Sequence, residues 1–479
     1  MRLALFSPLS PLQTAVADHA EGLVPYLAAF ANVDLFIEDG YVPNSPLVKP
    51  FAVYSHREFA ARASLYDMAI YHMGDEPTYH GYIYRAMQKH PGIVVLHDLV
   101  LHHCLFGLTA GKGNPEEYLD EMRYAYDKEG EMAAAEILSG RGLDLMYKYP
   151  LVERVLDNSL GVIVHNHYAQ QQLAQRRPAL ATTVIGQHFF LPEGVNPDED
   201  RGSLREHLGL QNRFVVATYG LLMPHKQLDI ALRAFARFRR THPEAVYLLV
   251  GPVEKGFDLA NTIQNMGLQD AVRMAGWQAP PDFVRHMFIA DVALHLRYPH
   301  VGGTPYTPIR LMGLGVPTVV TNIEPLAEIP EGCCIKIEVD EHEEETLVAV
   351  MDYLATHEEA RQEIAGKGRR YILEEHHPRK IAQQYKAFIE QIRSAGPRAA
   401  PTRHYPLDWQ QYLIEEAAAA LAEWGVDSEE EALLLPIAEA IANLGLGPKG
   451  PFPGEPEGPF SGGSEGPLPG GKTSAGVSD

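Results

Sequence analysis

Phe214-Val215-Val216-Ala217-Thr218-Tyr219-Gly220-Leu221-Leu222-Met223-Pro224-His225-Lys226-Gln227-Leu228 is the stretch that decides the fold. Its first six residues make a short apolar run that reads as a buried strand, broken at Gly220 by a loop. An amphipathic helix is expected over Leu228 to Arg240, and Val246 to Val250 reads as the next strand. The runs are continuous rather than alternating, the mark of parallel strands covered on both faces by helices.

The same alternation extends in both directions. Downstream, Val272 to Ala275, Val292 to His295 and Thr318 to Val320 read as strands; upstream, so do Arg2 to Phe6, Val33 to Ile37, Met68 to His72, Ile93 to Leu96, Gly161 to Val164 and Thr182 to Ile185. Between Phe106 and Pro150 lies an acidic, helix-favouring insert, and Tyr168 to Ala174 is helical in pattern. Pro192 to Asp200 changes composition and reads as part of a hinge over 191–201. The expected fold class is therefore α/β: two Rossmann-like domains, 1–190 and 202–375, facing a cleft. A crossover helix is expected over 376–395, centred on Lys380 to Arg393. A helical appendage over 396–446 and a disordered Gly/Pro-rich tail over 447–479 complete the plan.

Composition narrows the function classes. The 479 residues carry a formal charge of -22, which argues against broad wrapping on nucleic acid or anionic lipid. No apolar run approaches the roughly 18 residues of a membrane span. Cys104, Cys333 and Cys334 provide neither a disulfide framework nor a Cys-x-x-Cys metal pair, so a reducing cytoplasm is the expected location. Leu3 to Leu12 with Ala15-Val16-Ala17 mimics a leader peptide, but the better reading is a strand entering a loop.

Several motifs have plain readings. Gly466 to Thr473 matches a phosphate loop in form, yet lacks the strand before it and the helix after it. Asp198-Glu199-Asp200 reads as an exposed hinge, and Glu341 to Glu345 as a helix start. His102-His103 and His376-His377 have no companion ligand at helical spacing. Two places do carry chemistry. His97-Asp98 directly follows a buried strand and so stands at the cleft mouth, where the carboxylate can orient the imidazole. Lys226 lies in the loop after Gly220, just before a helix N-terminus, a physical recipe for holding a diphosphate.

Through these residues the chain resembles GT-B glycosyltransferases of family 4, retaining enzymes that use nucleotide sugars. The matching stretches are Gly220 to Lys226 with Asp229 to Phe235, Leu248 to Pro252, Arg273 to Trp277, Ala290 to Val292 and Gly315 to Thr321; in the first domain they are Ser7 to Pro11 and His97-Asp98. The resemblance implies a nucleotide-sugar donor and a carbohydrate, lipid-linked or other hydroxyl acceptor, with no nucleic-acid partner and no transmembrane segment. It implies a hexosyltransferase of polysaccharide, glycan or glycolipid synthesis that needs no cofactor and no metal. His97 and Asp98 would be catalytic, Gly220 and Lys226 would bind the diphosphate, and Gly276 and Trp277 would lie near the nucleobase. The family usually carries two glutamates eight positions apart; here Gly302 or Gly303 and Arg310 occupy those places. Gly302, Gly303, Thr304 and Arg310 are accordingly expected to line the donor pocket, through backbone N–H groups, a hydroxyl and a positive charge. Arg297 is a second source of positive charge. The alternative is a catalytically degenerate relative that binds nucleotide sugars or partners.

Overall fold

The computed structural model describes residues 1–192 and 194–396. The appendage expected beyond Gly396, the Gly/Pro-rich tail and the formal phosphate-loop match lie outside the described residues. Seven strands make the first sheet: β1 (Arg2–Phe6), β2 (Asn32–Ile37), β3 (Ala52–Ser55), β4 (Met68–Met73), β5 (Gly92–Leu96), β6 (Ser159–Val164) and β7 (Thr182–Val184). Six make the second: β8 (Val215–Tyr219), β9 (Val246–Val250), β10 (Val272–Gly276), β11 (Val292–His295), β12 (Thr318–Thr321) and β13 (Ile335–Ile337). Their spatial orders are β3-β2-β1-β4-β5-β6-β7 and β10-β9-β8-β11-β12-β13. Every pairing is parallel. Each sheet thus reverses direction beside its own first strand, and a crevice opens at the carboxyl ends there.

The central strands are as apolar as their sequences indicate: β5 and β8 are buried along their whole length. The strands that the sequence pattern does not mark, β3 and β13, lie at sheet edges and are partly exposed, so they carry no continuous apolar run. The insert is helical, with Pro115–Leu138 kinking at Asp127, and it places Tyr118, Met122 and Ile137 in the first core. The hinge is shorter than the sequence suggests. A helix spans Pro197–His207, and its Arg205 bonds Asp291 Oδ2 (3.2 Å) and the Ile289 carbonyl (2.6 Å), tying it to the second lobe.

The last described helix, Pro378–Ala395, returns to the first lobe. Ile381, Tyr385, Phe388, Ile389 and Ile392 share one apolar core with Leu3, Leu5, Ile93, Val95 and Ile163 of the first sheet. Gly161 on β6 makes room for it: a Cβ there would lie 2.7 Å from Ile392 and 2.9 Å from Phe388. Each such large apolar side chain contributes about 1.5–3 kcal/mol by leaving water.

Candidate functional site

The second lobe offers a concentration of positive charge. β8 ends at Tyr219, and Gly220 turns the chain with φ +90°. The neighbouring Gly251, φ +142°, ends β9, and any Cβ on it would overlap the Gly220 carbonyl. These two glycines let the strand ends close on one another. A short turn, Pro224–Lys226, and the left-handed Gln227 then lead into the helix Leu228–Phe238. Lys226 folds back so that Nζ donates to the Tyr219 carbonyl. It is buried, and burial, then the nearby Arg297, pushes its ammonium down to about 7.

Arg297 follows β11, and burial lowers its affinity for a proton while Asp98, on the opposite lobe, raises it. His225 is pushed down to about 3 by burial and by Arg297 and Lys226, and His295 well down for the same reasons. Lys226 and Arg297 therefore converge beside two neutral histidines, and the carboxylate acting on Arg297 belongs to the other lobe. The helix Tyr306–Gly313 starts beside them. No side chain caps it, and its Thr307 hydroxyl lies 3.9 Å from the position of a Cβ on Gly220. A helix start with no side-chain cap, whose Pro308 carries no N–H, stands with a lysine and an arginine in an arrangement that suits an anion.

The segment 301–304 is held by contacts from the other lobe. It is a seam between the lobes. The N–H groups of Leu99 and Val100 donate to the Val301 carbonyl (2.9 and 3.0 Å). Asn166 Nδ2 donates to Gly302 O (3.1 Å) and to Thr304 Oγ1 (3.0 Å), and Gln187 Nε2 donates to Thr304 O (2.7 Å). A Cβ on Gly303 would overlap the His97 carbonyl and lie 2.7 Å from Asp98 Oδ1; one on Gly302 would lie 2.7 Å from Leu99 Cβ. The glycines are required by this close approach of two backbones. The Gly302 N–H is also already spent on His300 Nδ1 (3.1 Å).

Arg310 likewise leaves the cationic cluster. Its guanidinium donates to Asp18 Oδ2 (2.9 Å) across the lobes and stacks 4.3 Å from the Tyr306 ring centroid. Arg297 is the cation beside Lys226. Asp98 does not hold His97: its Oδ2 accepts the Asp75 N–H (3.1 Å), and burial raises its carboxyl. Gly276, with φ +67°, and Trp277, half exposed, stand at the end of the edge strand β10. A cavity of about 330 Å³ opens next to the seam, with Tyr147, Tyr168, Tyr298 and Gly302 among its walls.

His97 points into a cluster of histidines rather than into open cleft. His165 Nδ1 bonds the Ile185 carbonyl (2.8 Å), so that nitrogen carries the hydrogen and Nε2 accepts. His97 Nδ1 lies 3.2 Å from it, and His97 Nε2 lies 3.0 Å from His72 Nδ1. His19 and His188 pack alongside, and all five rings are buried. Nothing in local spacing marks this group, although His72, His97 and His165 each stand at the carboxyl end of one of three adjacent strands.

Two sheets of reversed-order parallel strands, a seam at their carboxyl ends and a helix crossing back decide the architecture. The fold is GT-B. Residues 200–371 match the family described as glycosyl transferases group 1, a span that holds every second-lobe strand, Gly220, Lys226 and Arg297. Among solved GT-B structures, Alr3699/HepE from Anabaena in complex with UDP-glucose is 17% identical with a TM-score of 0.58, covering 82% of this chain and 100% of its own. Sucrose-phosphate synthase from Thermosynechococcus elongatus is 15% identical with a TM-score of 0.57, covering 83% of this chain and 100% of its own. A glycosyltransferase from Rickettsia africae is 13% identical with a TM-score of 0.55, over 82% and 98%. No curated protein matches the chain. The GT-B fold and the group 1 match together support glycosyl transfer. Among the described residues, no helix is long and apolar enough to cross a membrane.

Proposed function

We propose that this chain transfers a hexose from a nucleoside-diphosphate sugar to a hydroxyl acceptor, with retention of configuration, as a family 4 type enzyme of the cytoplasm serving polysaccharide, glycan or glycolipid synthesis. One observation carries the reading: Lys226 is buried beside Arg297 at the carboxyl ends of β8 and β11, with its ammonium on a carbonyl rather than a carboxylate. A buried cation is costly without a counter-charge, and a diphosphate supplies one. The uncapped start of helix Tyr306–Gly313 adds N–H donors for the same oxygens.

Lys226, Arg297 and this helix end would stabilise the charge that develops as the diphosphate leaves, with no metal needed for that step. The nucleobase would extend toward Gly276 and Trp277. The tyrosine-lined cavity at the seam suits a sugar-like acceptor, since aromatic faces present flat apolar area beside polar edges. Asp98, protonating more readily than an ordinary carboxylate, lies against the Gly303 backbone of the seam and would receive the acceptor's proton. His97 would act as a positioning residue for the loop that carries Asp98. The UDP-glucose bound in the Anabaena structure makes that nucleotide sugar the first donor to try.

A calorimetric screen of UDP, GDP and ADP and their sugars tests the reading. Lys226→Met and Arg297→Met are each expected to weaken binding at least about tenfold, the worth of one charge-assisted phosphate contact. Affinities equal to the parent's would overturn it. A second reading is favoured by the seam itself, where Gly303 sits on the His97 carbonyl and Arg310 is spent on Asp18. It is a relative that binds nucleotide sugars without turnover; tight binding with no transfer to any acceptor, and no hydrolysis, is its signature.

A further inference from the structure

The sequence pattern indicates no metal site, yet folding gathers five imidazoles at the carboxyl edge of the first sheet. His19 comes from the first helix, His72 from β4, His97 and His165 from the turns after β5 and β6, and His188 from the segment after β7. Around His19, the ring centroids of His188, His97, His165 and His72 stand at 4.7, 5.1, 5.2 and 5.5 Å. Each of the five is at most 7% exposed.

Hydrogen bonding accounts for only part of this group. The series His72, His97, His165 and Ile185 O is satisfied end to end in neutral tautomers. His19 and His188 have no partner at either ring nitrogen, and His72 Nε2 has none. A neutral imidazole always carries one N–H and one lone pair, so His19 and His188 together leave two donors and two acceptors buried and unmet. Buried polar groups are nearly always paired, so four unmet ones in one cluster call for a ligand. Neutral imidazole is also the form that ligates metals.

The geometry points to a divalent first-row metal site, best suited to zinc, built from His19, His72 and His97, with His188 packed beside them. One ring nitrogen from each of His19, His72 and His97 lies within 4.8 Å of the other two. Ligand nitrogens about 2.0–2.1 Å from a tetrahedral zinc stand about 3.3–3.4 Å apart, so small ring rotations close the set. The 3.0 Å hydrogen bond between His72 Nδ1 and His97 Nε2 holds these atoms near that spacing; ligation would shift the His72 proton to Nε2 and put the ion in place of the bond. The outer shell is in place as well. His97 Nδ1 donates to His165, and His165 donates to the Ile185 carbonyl, a series that fixes the tautomer presenting Nε2 inward. An all-imidazole donor set favours zinc, nickel or copper over magnesium or calcium, which prefer oxygen. The ion would pin the first helix to the carboxyl ends of β4 and β5.

The full-length chain, purified without an affinity histidine tag, is tested by elemental analysis and by titration of the chelator-treated protein with Co2+. About one tightly held zinc per chain is expected, together with the visible absorption of tetrahedral nitrogen-bound cobalt. His19→Ala and His72→Ala should each lower the affinity for Co2+ at least about tenfold. Should either variant fail to fold, the cobalt spectrum of the parent chain decides alone. Less than about a tenth of an ion per chain with no cobalt spectrum, or unchanged cobalt binding in both folded variants, overturns the proposal.

Discussion

Lys226 shows how one residue couples site and pH. Its ammonium titrates at about 7 in the folded chain against an ordinary 10.5, because burial and Arg297 both oppose the charge. Between those values the unfolded chain binds more protons than the folded one, so this group's contribution makes stability rise with pH across the window. Nucleotide binding works in the opposite direction. A diphosphate against Nζ favours the charged form and draws a proton in, so affinity should fall as pH climbs above about 7, by up to tenfold per unit. Calorimetry at pH 8 in two buffers of different ionisation enthalpy should show uptake of most of one proton, vanishing in Lys226→Met. Equal uptake by parent and variant would assign the proton elsewhere. The position of Lys226 is legible in the sequence because strand, glycine turn and helix are local. Its burial is not, since that depends on β11 and Arg297, some seventy positions along the chain.

At the level of elements, the long-range close approaches are what sequence leaves open. The strands of both sheets announce themselves by apolar runs, except β3 and β13, whose exposed edges need none. The glycine pair 302–303 announces permissive backbone but not what comes close to it. That partner is the 97–100 turn of the other lobe. For the same reason the histidines of β4, β5 and β6 look unremarkable singly and meet only once the sheet has set its order. Gly303→Val should therefore act by prising the seam rather than by filling a donor pocket. It must displace the His97 carbonyl and Asp98, and so should lower thermal stability by about 1–3 kcal/mol, as overpacking does, while weakening nucleotide binding only indirectly. Gly161→Val is the matching test beneath the crossover helix, where Ile392 and Phe388 must move; a comparable loss is expected by denaturant titration. A wild-type midpoint for Gly161→Val would mean that the helix yields without cost.

Across the whole molecule, the lobes are joined by polar contacts as well as by the returning helix. Glu328 of the second lobe accepts the N–H groups of His167 (2.8 Å) and Tyr168 (2.7 Å), closing the start of a first-lobe helix. On the far side of the seam, Arg310 reaches Asp18 (2.9 Å). The two side chains are 11% and 24% exposed, so the pair is neither a solvated surface bridge nor fully buried. Its value lies between those limits, above the 0–1 kcal/mol of surface pairs and below the 3–5 kcal/mol lost when one partner of a buried pair is removed. Asp18→Ala strands the Arg310 guanidinium against Tyr306 and should cost about 1–3 kcal/mol. Because the pair spans both lobes, the loss should reach both. Calorimetric melting should remain one transition moved to lower temperature if the lobes unfold together, and small-angle scattering should show a wider molecule if they part first. Asp18→Asn should recover part of the loss by keeping an acceptor for the guanidinium. Should Asp18→Ala leave both the melting temperature and the radius of gyration unchanged, the bridge contributes nothing to closure, and the 301–304 seam, the Glu328 contacts and the helix Pro378–Ala395 hold the lobes without it.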